Sequence, residues 1–291
     1  MEPVDLWLDT DIGNDIDDAV ALAYLLRQPR ANLVGVSTVT GPVADRARIA
    51  SAVAMAAGRD DVPIYAGCAD AMSGPGQPTC PQAERLDAVP HRKDFAADPA
   101  AALAALGAAA RRTPGRLTLL AVGPLTNLAR FFQDDPDLPR LLGRVVLMGG
   151  HFYPDKPGAE WNILCDPVAA ARVAEAPVAR TWYGLDVTLQ CRLHRDEVRQ
   201  RFRGPLLEAV YRFAEVWFRR REHIVFHDPL AAAAIFEPSL CTLRPARVEV
   251  QTAGEFPGRT VPHEADRPEA DRIATTVNAK AFFDHYFAVT A

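Results

Sequence analysis

The chain has 291 residues and a net charge of −5, with 49% apolar and 24% charged residues. This composition is ordinary for a globular protein, and the length suffices to bury a substantial core without disulfides. The acidic balance argues against a nucleic-acid partner, since phosphate binding needs a basic face, and no apolar run reaches bilayer-spanning length.

Residues 6–8 read as a strand and 17–26 as a helix. A strand at 33–39, a helix at 44–57 and a short strand at 62–66 follow. Strands at 117–122 and 145–148 flank a helical stretch at 125–132. A helix at 168–175 precedes a strand at 179–185. Such alternation predicts βαβ units and a mainly parallel sheet. Consecutive apolar residues, as in Val145-Val146-Leu147-Met148, suit a sheet covered on both faces.

Two stretches break the rhythm. Residues 69–91, which include Gly74-Pro75-Gly76-Gln77-Pro78, read as a long surface loop. Loops of this length are often lids or binding loops. Residues 205–225 read as helices, an excursion from the sheet near the site. In it Arg219-Arg220-Arg221 reads as a solvated helix face, and Tyr211, Phe213, Trp217 and Phe218 as core. Strict alternation at 246–251 predicts an antiparallel strand, and an amphipathic helix follows at 278–287. The expectation is one α/β domain over 1–291: an open, mainly parallel, Rossmann-like sheet flanked by helices.

Five cysteines without a CxxC spacing argue against a disulfide framework or a zinc site, and fit a reducing cytoplasm. The acidic start, Met1-Glu2-Pro3-Val4-Asp5, lacks a signal-peptide pattern.

Chemistry concentrates where strands end, the place ligands occupy in open α/β sheets. Asp9, Asp11, Asp15, Asp17 and Asp18 crowd the turn after the first strand. Like charges packed so densely are unfavourable unless a cation neutralises them. Hard oxygen ligands on a flexible loop favour Ca2+. Other polar clusters are Gly123-Pro124-Leu125-Thr126-Asn127, Gly149-Gly150-His151, Glu160-Trp161-Asn162 and His227-Asp228-Pro229. Thr126 and Asn127 read as cap and packing residues, and Asp9 as a structural residue bonded to nearby backbone.

In this order the clusters resemble the inosine–uridine-type nucleoside hydrolase family, from Leu6 to about Phe236. The resemblance implies Ca2+-dependent hydrolysis of an N-ribosidic bond. It also implies a nucleoside as the partner and a homodimer or homotetramer. By the family pattern Asp11 binds Ca2+ and takes a proton from water. Asp18, Asp228 and the Val122 carbonyl complete the metal ligands. Asp17, Glu160 and Asn162 hold the sugar, and His227 lies near the leaving base. Ca2+ takes six to eight oxygens, which leaves room for water and ribose hydroxyls.

The sequence also departs from the family. Ile12, Gly13, Asn14, Asp15 and Ile16 separate Asp11 from Asp17-Asp18, a longer spacer than usual, and Asp15 is the alternative ligand. Pro42 stands where an asparagine often reaches the sugar, and no asparagine is evident at 153–157. The family pattern of the third-strand loop is absent from residues 70–91. These losses support a rival reading, a catalytically weak metal- and ribose-binding protein. A phosphohydrolase of the haloacid type also opens with Asp-x-Asp, but needs a downstream lysine, for which the central segment offers Lys156.

Overall fold

The computed structural model describes residues 2–153, 158–265 and 271–291. Lys156 and most of the 153–157 stretch lie outside them.

Nine strands form one open sheet: β1 (Val4–Thr10), β2 (Ala31–Thr38), β3 (Ile64–Ala66), β4 (Thr118–Ala121), β5 (Arg144–Met148), β6 (Arg180–Tyr183), β9 (Cys241–Val250), β10 (Thr260–His263) and β11 (Asp271–Val277). The remaining two, β7 (Arg192–His194) and β8 (His223–Val225), form an antiparallel hairpin apart from it. The order across the large sheet is β10-β9-β11-β6-β5-β4-β1-β2-β3. Pairing is parallel from β3 through β11 and antiparallel at β9 and β10. The mixed, mostly parallel sheet with helices on both faces is the expected fold.

The central strands are apolar throughout because both faces are covered. Leu6, Trp7 and Leu8 of β1 are all buried, and so are Val145–Met148 of β5. Two apolar clusters lie on opposite faces of the sheet. One packs the Asp17–Arg27, Val43–Ala56, His227–Phe236 and Ala279–Thr290 helices; the other packs the Pro99–Arg112, Thr126–Asp134 and Pro167–Glu175 helices.

Three expectations need correction. Residues 205–225 are not all helical. The Gly204–Trp217 helix ends in a turn holding the basic run, and β8 follows. The 69–91 stretch contains a 3-10 helix, Pro81–Ala88, and is not simply a surface loop: Gln77 and Gln82 are buried. Gln82 donates to the carbonyls of Asn14 and Asp15, so this stretch closes over the acidic turn. The Pro99–Arg112 helix lies where no element is expected, although Asp98 caps it and Pro99 occupies its first turn.

Among the described residues no helix is long and apolar enough to cross a membrane.

Candidate active site

At the carboxyl ends of β1, β4 and β5 lies a cavity of about 480 Å³. Asp11, Asp17, Asp18 and Val122 line it, as do Glu160, Asn162, His227 and Asp228. Every site residue expected from the sequence is therefore in one place.

The acidic turn builds the floor. Thr10 ends β1, donates its hydroxyl to Asp18 and accepts the Ile12 N–H. Gly13, at φ 118, takes a backbone conformation that favours glycine. Asp17 and Asp18 then open their helix, where the helix N-terminus favours negative charge. Asp228 lies in the first turn of the His227–Phe236 helix. Its backbone N–H donates to Asp17 at 3.3 Å.

Asp17, Asp18 and Asp228 each offer a carboxylate oxygen, and these oxygens lie within 4.8 Å of one another. All three side chains are buried. Burial first, and then the neighbouring carboxylates, push all three well above the usual carboxylate range. Among the described residues no Lys or Arg forms an ion pair with them or with Asp11. The nearby buried guanidinium, Arg46, is spent on the carbonyls of Asp11, Ile12, Thr40, Gln77 and Thr79. Buried carboxylates that outnumber the one nearby guanidinium, all hard oxygen donors, fit a divalent metal ion. Asp17, expected at the sugar, shares this group. Asp11, expected as a ligand, stands beside it and donates no oxygen to the trio.

Asp11 accepts the side-chain N–H of Gln77 at Oδ2. Gly123 makes room for its other oxygen: a Cβ there would come within 2.8 Å of Oδ1. Asp9 lies deeper. It accepts from Ser37 and Asn127 side chains, not from nearby backbone as expected. Burial raises its pKa to about 7. Asn127 also donates to the Thr38 carbonyl and accepts the Cys68 N–H, so it ties three elements under the site. Thr126 donates to Asp166. Asp15 accepts the Ile16 N–H and lines the cavity, and burial raises its pKa to about 7.

Opposite the acidic turn, Glu160 accepts the N–H groups of Asn162, Ile163 and Gly150. Burial nevertheless raises its pKa to about 7. The Asn162 amide donates to the carbonyls of Val122 and Met148. His227 is held at Nδ1 by the Thr188 hydroxyl at 2.7 Å, and burial pushes its pKa down to about 4. Trp161, Trp217 and Arg221 also line the cavity. Of the four aromatics expected in the core, Phe213 is buried there, whereas Trp217 is only partly buried and reaches the site. Arg221, expected on a solvated helix face, lies over the Trp217 ring, 5.6 Å from its centroid.

A model of the inosine-uridine preferring nucleoside hydrolase family matches residues 6–284. The chain belongs to that family. It is a nucleoside hydrolase, an enzyme that acts on N-glycosyl bonds. The non-specific ribonucleoside hydrolase RihC of Escherichia coli O157:H7 is 32% identical, over 95% of this chain and 95% of its own. A purine-preferring ribonucleoside hydrolase from Gardnerella vaginalis superposes with a TM-score of 0.83 at 25% identity, over 98% of both chains. The inosine-uridine preferring nucleoside hydrolase from Bacillus anthracis superposes at 0.77 with 26% identity, over 99% of both. In this nucleoside hydrolase Gln77, Arg46 and Thr188 are site or supporting residues that the sequence does not single out. The one short sequence signal was a glutamine inside a Gly/Pro loop; Arg46 shares its helix with Asp45 and Arg48 and does not stand out.

Proposed function

We propose that the protein hydrolyses the N-ribosidic bond of a ribonucleoside with Ca2+ as cofactor, giving free base and ribose. The observation that carries this reading is the buried trio Asp17, Asp18 and Asp228 in the same cavity as Glu160 and Asn162. Three carboxylates, with Asp11 and the Val122 carbonyl beside them, suit the oxygen-rich, irregular shell of calcium.

When bound, such a cation neutralises the trio and acidifies water that it polarises. Asp11 takes a proton from the attacking water. The Val122 carbonyl retains a lone pair beyond the one engaged by Asn162. Because the amide nitrogen of Asn162 is spent on two carbonyls, its Oδ1 is the atom left for a ribose hydroxyl. Glu160, fixed by backbone N–H groups, accepts from the sugar with its remaining lone pairs. Bond cleavage develops positive charge on the sugar, as in glycoside hydrolysis, and the buried carboxylates stabilise it. His227 is neutral near pH 7. In the tautomer whose Nδ1 accepts from Thr188, Nε2 carries the hydrogen and donates a hydrogen bond to the leaving base, which departs with its charge dispersed and takes its proton from solvent water. Trp161, Trp217 and Arg221, which also line the cavity, are the side chains available to the base.

The test is reducing-sugar release from a purine and pyrimidine ribonucleoside panel in phosphate-free, 18O-labelled water. Hydrolysis places the label on the ribose. Tight ribonucleoside binding without sugar release would favour the rival reading, a binding protein on the same scaffold.

A further inference from the structure

Gln77 is held with little freedom. Its backbone N–H donates to the Thr40 hydroxyl at 2.8 Å, and its carbonyl accepts from Arg46 at 3.0 Å. Thr40 itself has φ 63, uncommon for a residue other than glycine. The Gln77 side chain is 4% exposed. Its amide has three neighbours: Asp11, Asn14 and Trp161.

Two of those neighbours have fixed roles and ask for the same orientation of the amide: the Asp11 carboxylate only accepts, and the Trp161 indole only donates. Asn14 can rotate its own amide and offer either atom. Trp161 cannot, because an indole N–H donates and never accepts. It lies 2.8 Å from Oε1 of Gln77, so that atom must be the oxygen. The Gln77 nitrogen is thereby turned to Oδ2 of Asp11. Asp11 has one oxygen held by this donor and the other beside Gly123. Trp161 is 50% exposed, so a half-exposed residue of the cavity wall reaches the buried carboxylate through one side chain.

We propose that the Trp161 indole N–H, acting through the Gln77 amide, fixes the rotation of the Asp11 carboxylate. Gln77 and Trp161 are thus positioning residues, an inference that rests on reading Asp11 as the base. Without the indole N–H, the Gln77 oxygen keeps only the Asn14 donor. The amide, anchored by one fixed partner instead of two, then holds the Asp11 carboxylate less firmly in one rotation.

The test is steady-state ribose release by wild type, Trp161→Phe, Gln77→Met and the double variant, with metal saturating. Trp161→Phe keeps an aromatic ring and deletes the donor; Gln77→Met keeps the length and deletes the amide. Gln77→Met is expected to lower kcat about 10–100-fold, the usual effect of losing an outer-shell partner. KM stays within about 3-fold, because ground-state binding is untouched. Trp161→Phe lowers kcat roughly 3–10-fold alone, and less than about 2-fold once Gln77 is Met, since the two act in series. Should Gln77→Met not fold, Trp161→Phe alone decides. An unchanged kcat in Trp161→Phe, or the same loss in both backgrounds, overturns the relay. No sugar release by wild type overturns the reading of Asp11 and the relay with it; release by wild type with Trp161→Phe unimpaired overturns the relay alone.

Discussion

The backbone N–H of Asp228 donates to Oδ2 of Asp17 at 3.3 Å, across 211 positions of sequence. The bond joins the first turns of the Asp17–Arg27 and His227–Phe236 helices. Two helix N-termini, each the positive end of a dipole, thus converge on the carboxylate trio and offset part of its charge. The Ala279–Thr290 helix clamps the pair. Tyr286 donates to the Val20 carbonyl, and Phe226 packs edge-on against Phe282, Phe283 and Tyr286.

Asp228→Asn separates metal binding from folding. It removes one of three like charges, so the metal-free protein gains stability, with a melting temperature higher by roughly 2–4 °C. It also removes a ligand, so sugar release falls by more than the roughly 10–100-fold that loss of an outer partner costs. Thermal unfolding with and without Ca2+ shows both effects: a higher metal-free midpoint and no rise on adding the ion.

Stability and metal binding respond to pH together. The pKa values of Asp17, Asp18 and Asp228 are raised in the folded state. A raised acid binds more protons folded than unfolded. Its contribution to stability is complete below the ordinary value of 3.8 and is lost as pH rises through the folded value. These groups therefore favour the metal-free fold at acid pH and oppose it near neutrality, where Ca2+ compensates. The rise in melting temperature on adding Ca2+ is expected to be larger at pH 7.5 than at pH 5.5. Calorimetry in buffers of different ionisation enthalpy should register proton release on binding.

Gly123→Ala tests the placement of Asp11. The added methyl would come within 2.8 Å of Asp11 Oδ1 and 2.9 Å of its backbone nitrogen. Displacing the carboxylate should lower kcat on the order of 10²-fold. Circular dichroism should show the fold intact.

Asn127→Ala tests the support beneath the site. It strips partners from Asp9, the Thr38 carbonyl and the Cys68 N–H, all buried. Unfolding in urea should show a loss of about 2–4 kcal/mol, the range for a broken buried network.

The sheet was legible because its strands are continuously apolar and its helices fall between them. The elements that escaped notice include the three-residue β7 and β8 off the sheet, and also β10 and β11 within it and the Pro99–Arg112 helix. The acidic turn was legible because Asp17-Asp18 sits at a helix start. Asp228 lies some two hundred positions away, and only the family resemblance brought it into the site. Gln77 was illegible for a physical reason. A glutamine between Gly76 and Pro78 reads as exposed, and its burial comes from Thr40, Arg46 and Trp161, none of them local in sequence. Arg46 was hidden likewise, since its five carbonyl partners lie in loops whose path the sequence does not show. Asp9 was read as bonded to nearby backbone, yet its partners are the side chains of Ser37 and Asn127, 28 and 118 positions away.

The most direct measurement is the rate of ribose release from inosine and uridine by protein stripped with a chelator, as Ca2+ is returned. The site predicts almost no release from the stripped protein and a saturable recovery with Ca2+, absent in Asp18→Asn and Asp228→Asn. Release that survives chelation unchanged, or no release from any ribonucleoside while Ca2+ is bound, would contradict it.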